Sequence, residues 1–228
     1  MKKLILLIFC FLTAHSLLAA SPPVAVLRVA NEAAISPLLH QISDDFPGPE
    51  FHYVIIPGEQ SGPVLLDGSA SYDPDRDPLR FLWSECLAED NCQAITGLPM
   101  PAPAILTLNL APGSFLFGLN VYDGTFNSPL ATIKVAVYTP SGMLFGIREV
   151  LDELADSQPI PTTVKPALAN PLTDAARSFM VGNTPHALHQ IKLFENHLKS
   201  QPKYLDAATR QALIDAAEAV VAAVGNGP

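Results

Sequence analysis

In Gly113-Ser-Phe-Leu-Phe-Gly-Leu-Asn-Val-Tyr-Asp-Gly124, the residues Phe115, Phe117, Leu119 and Val121 share one face at period two. That alternation marks a strand with one side buried. Ile133, Val135 and Val137 repeat it in the next apolar run, so the two stretches read as strands of a sheet with one buried face. Working back toward the amino terminus, further short β-branched runs fall at Val24–Val29, Tyr53–Ile56, Val64–Leu66, Leu79–Trp83 and Ile105–Leu110, punctuated by Gly, Pro, Asn and Asp. Seven short strands separated by turns predict a two-sheet sandwich over residues 21–138. Residues 31–50 fit this poorly, and Glu32–Ile42 is expected to be a short inserted helix.

Beyond Tyr138 the period changes. Thr139-Pro140 supplies an N-cap and a first-turn proline, and Leu144, Ile147, Leu151 and Leu154 mark a helical stripe. A second helix is expected over about Val164–Val181, stopped by Gly182 and disturbed by Pro171. Thr184-Pro185 opens a third, and Asp206 caps a fourth that runs to Gly225. Four amphipathic helices with short loops predict a compact helical module over residues 139–228.

Two resemblances refine this reading. The run Val64-Leu-Leu-Asp-Gly-Ser-Ala-Ser-Tyr-Asp-Pro-Asp-Arg-Asp-Pro-Leu-Arg-Phe-Leu-Trp83, with Gly113–Gly124 downstream, resembles the polycystic-kidney-disease (PKD) type of immunoglobulin-like domain over about Pro63–Val137. Arg76 stands where that family often has Gly. The helical half resembles the FIMAH module of secreted bacterial proteins over about Gly142–Val224, through Gly182-Asn183, Ala187-Leu-His-Gln-Ile-Lys-Leu-Phe194 and Leu213-Ile-Asp-Ala-Ala217. Together they imply an all-β immunoglobulin-like sandwich followed by a separate all-α four-helix module. The first resemblance implies spacing, adhesive or recognition roles, and the second implies no settled activity.

Location is written at the amino terminus. Lys2 and Lys3 precede an apolar run from Leu4 to Ala14 and a small-residue exit at Ala19 and Ala20, the layout of a cleavable export signal over residues 1–20. The run is too short for a transmembrane anchor, and no later stretch is long and apolar enough for one. Of three cysteines, Cys10 lies in this leader, leaving Cys86 and Cys92 around a polar loop with no His nearby. In an oxidising compartment such a pair is expected to be a disulfide. The formal charge of −9, made more acidic by loss of Lys2 and Lys3, argues against nucleic acid as a partner.

Candidate chemistry is sparse. Asp73, Asp75 and Asp77 alternate through a turn, and a sandwich would bring Asp123 to the same end, so these four are a candidate calcium set. The competing reading is carboxylates bonded to their own turn. Tyr72 and Tyr122 at that end are candidate ligand contacts, whereas Trp83 is expected in the core. His186, His189 and His197 share a helix face without the Glu of a zinc motif. No catalytic residues are assigned, because no nucleophile, base and sheltering site coincide. The expected function is non-catalytic binding of a protein or polysaccharide at the envelope or outside the cell, the location being secreted or periplasmic. The alternatives are a structural spacer presenting the helices and an enzyme of unrecognised type.

Overall fold

The computed structural model describes residues 21–43, 46–157 and 160–225; the export signal expected over residues 1–20 lies outside them. The chain order is β1 (Arg28–Val29), α1 (Pro37–Ile42), β2 (Phe51–Ile55), β3 (Gly62–Asp67), β4 (Arg80–Ala88), β5 (Asn91–Ala94), β6 (Ile105–Leu110), β7 (Gly113–Tyr122) and β8 (Ala131–Tyr138), then α2 (Pro140–Ser157), α3 (Lys165–Met180), α4 (Thr184–Ser200) and α5 (Ala207–Gly225). One sheet is antiparallel, β1-β3-β6; the other has the order β2-β8-β7-β4-β5. Asn31 continues β1 by side chain alone, its amide donating to Pro63 O at 2.8 Å and accepting from Leu65 N at 2.9 Å. The edge of β3 is thereby closed without another strand.

The expectation of an all-β immunoglobulin-like sandwich followed by a separate all-α module is corrected. β2 pairs in parallel with β8, with Tyr53 opposite Ala136 and Ile55 opposite Tyr138, so the larger sheet is mixed. The fold is mixed α/β, with five helices among the described residues and a helical carboxy-terminal region. Alternate residues explain how the halves join. Val54, Ile56, Val135 and Val137 face the core shared with the smaller sheet, alongside Trp83, Phe117 and Leu119. Tyr53, Ile55 and Ala136 belong instead to the core that contains Leu144, Ile147, Leu172, Phe194 and Leu213 of the helices. The larger sheet is thus covered by strands on one face and, at its β2–β8 side, by helices on the other. Strands covered on both faces read as continuous apolar runs, as Val54-Ile55-Ile56 does.

The inserted segment makes this junction. Its helix is shorter than expected, α1 alone, started by Ser36, whose Oγ accepts from Leu38 N. Phe46, 1% exposed, lies among the rings of Tyr53 and Tyr138, with centroids 6.3 and 6.1 Å away. Gly146 allows that approach, since a Cβ there would stand 3.1 Å from Phe46 Cζ. At the start of α2, Glu59 accepts hydrogen bonds from Ser141 N, at 3.1 Å, and from Ser141 Oγ. A carboxylate from the loop before β3 thus meets the amide-rich end of a helix, where negative charge is favoured.

The helices follow their local signals. Asn183 N donates to Ser178 O and Gly182 N to Phe179 O, with Gly182 at φ 75°, the closing pattern for which glycine is suited. Asn183 then caps α4 by accepting from His186 N. Asp206 accepts from Thr209 N at 2.9 Å and from Thr209 Oγ1 at 2.6 Å at the head of α5. The Thr209 hydroxyl, followed by backbone amides, holds the Asp206 carboxyl below its usual range. Pro171 is buried inside α3 without ending it.

Candidate functional site

Two acidic regions lie at the surface. The first is the aspartate turn singled out by the sequence. Asp73 is 8% exposed, and its Oδ1 accepts from Asp75 N at 2.7 Å and Asp77 N at 3.1 Å. Its Oδ2 is enclosed without a hydrogen-bond partner. Asp75 Oδ2 accepts from Ser21 N at 2.6 Å, and Asp123 Oδ1 accepts from Thr125 N and Phe126 N. Among the described residues no group of three or more His, Cys, Asp or Glu is placed to hold a metal ion. No three of the four aspartates proposed for calcium are thus gathered into one site, and two of them, Asp73 and Asp123, accept from nearby backbone in the turn pattern.

Arg76, inside the same turn, has φ 70°, a left-handed conformation that a side chain disfavours. Tyr72 is 54% exposed, while its backbone bridges Val24. Tyr122 is half-buried and its hydroxyl donates to Gly124 O. Trp83 lies in the core, donating from Nε1 to Pro103 O at 2.9 Å. Cys86 and Cys92 stand opposite one another on β4 and β5 and are joined in a disulfide, closing a hairpin whose second strand is mostly exposed.

The second region was not legible as a unit in the sequence. A groove of about 680 Å³ runs where the segment after β1, the end of β2 and the start of β3 meet α5. Ala33, Ala34, Ile55 and Pro57 line it from the strand side, and Ala219 and Ala222 from α5. Its charged lining residues are all acidic: Glu32, Asp215 and Glu218. Glu32 Oε1 is 2.9 Å from His52 Nδ1, an ion pair when the imidazole is protonated. Asp215 Oδ1 accepts from Gln211 Nε2 at 2.7 Å. Glu218 acts at longer range on Lys192, whose ammonium is held above its ordinary pKa first by Glu195 and to a lesser extent by Glu218. The separate contributors lie far apart in sequence, so only the packing of α5 beside β2 creates the feature. The signal available in advance was the alanines near the end of α5, Ala219, Ala222 and Ala223, which a solvated helix face does not require.

The arrangement defines a mixed α/β protein whose recognisable surface lies at the contact between a helical region and a sheet. Residues 144–222 match the family model described as the FIMAH domain, which covers α2 through most of α5. No family model for a PKD or immunoglobulin-like domain matches the strand region. No curated protein matches the chain. Among solved structures, the chain is similar to a nucleoside hydrolase-related hypothetical protein from Saccharophagus degradans that is associated with carbohydrate metabolism. The identity is 21%, the TM-score is 0.29, and the match covers 53% of this chain and 26% of that one. The match thus spans about a quarter of that protein's length. Among the described residues, no helix is long and apolar enough to cross a membrane.

Proposed function

We propose that this is an exported, non-catalytic binding protein that recognises a protein or polysaccharide at the cell envelope. The observation that carries the reading is the groove beside α5. It is concave and largely apolar, with a few charged groups placed around it, the composition of a recognition site. The leader over residues 1–20, which lies outside the described residues, supports export, and the Cys86–Cys92 disulfide is compatible with an oxidising compartment. Tyr72, more than half exposed at the aspartate turn, marks a second candidate contact surface together with Tyr122.

The test is co-sedimentation of the purified protein with isolated envelope. The reading expects the wild type to pellet with the envelope and Ala219→Arg with Ala222→Arg to remain in the supernatant, both proteins having the same circular-dichroism spectrum. Tyr72→Ala with Tyr122→Ala is the matched variant for the loop end. Loss of sedimentation in that variant alone would move recognition to the turn. A wild type that never sediments would contradict envelope binding, and turnover of a substrate would contradict the non-catalytic assignment.

A further inference from the structure

The groove carries more than a location, because its lining selects among ligand chemistries. We infer that the groove between the Asn31–Ala34 segment and α5 is a docking site for an extended, Lys- or Arg-bearing segment of a partner protein, with small apolar residues between the cations. The inference rests on the binding reading above and names the partner's class.

The groove is charged in one sense only. Glu32, Asp215 and Glu218 come from two sides of the groove, and no Lys, Arg or His lines it. Such a surface repels an anionic polymer and draws a cation from a distance, an effect that the net charge of −9 reinforces. The carboxylates retain accepting capacity: Glu32 has one oxygen, Oε1, beside His52 Nδ1 at 2.9 Å, Asp215 takes one hydrogen bond from Gln211, and Glu218 reaches Lys192 only at long range. Each carboxylate can accept several donors, so a guanidinium or ammonium can be added without displacing a resident partner.

Its walls are low. Alanines at 33, 34, 219, 222 and 223 leave low walls, so a main chain can come close to α5 and to the segment after β1. Pro57 and Leu65, both partly exposed, offer apolar surface for short aliphatic side chains. No aromatic side chain lines the groove, which removes the stacking surface on which a sugar ring would be held. A peptide with alternating cationic and small apolar residues fits both features, and a glycan fits neither.

The probe is a fluorescent peptide of three Lys-Ala-Pro repeats, measured by anisotropy against the purified full protein beside analogues carrying Gln or Glu in place of Lys. The expected result is saturable binding of the Lys peptide and at least about tenfold weaker binding of the Gln peptide, with none of the Glu peptide. Raising the salt should weaken the Lys peptide by about tenfold or more, because exposed pairs are screened. Asp215→Lys with Glu218→Lys should abolish binding of the Lys peptide and admit the Glu peptide, a gain that unfolding could not produce. Ala222→Trp should fill the groove and weaken binding at least about tenfold, with an unchanged melting temperature. If the Lys and Gln peptides bind equally, or Ala222→Trp has no effect, the proposal fails. Absence of peptide binding while the protein still sediments with envelope would overturn this partner class and leave the binding reading standing; absence of both would overturn both.

Discussion

The aspartate turn and the α5 groove are both acidic, and they differ in what their carboxylates already hold. In the turn, Asp73 Oδ1 accepts from Asp75 N and Asp77 N, and Asp123 Oδ1 accepts from Thr125 N and Phe126 N, so local backbone occupies one oxygen of each. In the groove, Glu32 and the pair Asp215 and Glu218 come from opposite ends of the chain and face a shared apolar surface. Acidic residues adjacent in sequence most readily shape their own loop. Acidic residues brought together by packing shape a surface for something else. Charge spacing along the chain is therefore a poorer guide to a binding site than the elements that deliver the charge.

The largest effect of substitution is expected at Asp73. Asp73→Ala leaves two backbone N–H groups of a tight turn without their acceptor, and we expect a loss of about 1–3 kcal/mol in urea denaturation. Glu218→Gln, in contrast, should change stability by less than about 0.5 kcal/mol, because it touches an exposed group outside any such network. An Asp73→Ala protein as stable as wild type would remove the distinction between the two regions.

Asp206 provides a reference carboxylate with a purely structural role. Asp206→Ala should cost about 1 kcal/mol through loss of the α5 cap. Its folded pKa is lowered by Thr209, so its contribution is present above the unfolded pKa and is lost as pH falls through the folded value, below the ordinary carboxylate range. The stability difference between wild type and Asp206→Ala should therefore be full at neutral pH and shrink only in strong acid. A difference that disappears near pH 6 would contradict the cap.

Arg76→Gly should stabilise the turn by about 0.5–1 kcal/mol, because glycine adopts the left-handed conformation at φ 70° without steric cost. A lowered melting temperature would show that the Arg76 side chain contributes more than its backbone strain removes. The smallest effect is expected at Asp75. Cleavage after Ala20 would turn the Ser21 amide, 2.6 Å from Asp75 Oδ2, into an α-ammonium and strengthen that contact. Asp75→Asn should then destabilise the exported protein by under about 1 kcal/mol, as for an exposed pair. It should have a smaller effect on a chain that keeps residues ahead of Ser21; equal effects on the two would show that the amino group is not the partner.

Much of the helical region was legible because its signals are local. Gly182-Asn183 and Asp206 mark ends that depend on the chain within a few residues, and the apolar stripe of α2 is read at one period. The β7 alternation was legible for the same reason. What escaped was long-range. The parallel pairing of β2 with β8 joins segments far apart in sequence, and Phe51-His-Tyr-Val-Ile-Ile56 does not alternate because both faces of β2 pack against other elements. β5 was missed because Asn91-Cys-Gln-Ala94 is polar and mostly exposed, a strand held at the sheet edge by its hairpin and the Cys86–Cys92 bond. The groove escaped for the reason that makes it informative, since neither the Asn31–Ala34 segment nor the outer face of α5 is concave by itself.

The most direct test of the contrast between the two acidic regions is a two-dimensional amide NMR titration of the purified protein with the Lys-Ala-Pro peptide. Shifts are expected at Ala33, Ala34, Ile55, Ala219 and Ala222, with the Ser71–Asp77 amides unmoved. Shifts confined to Tyr72–Asp77 and Tyr122–Gly124, with the groove alanines unmoved, would contradict it.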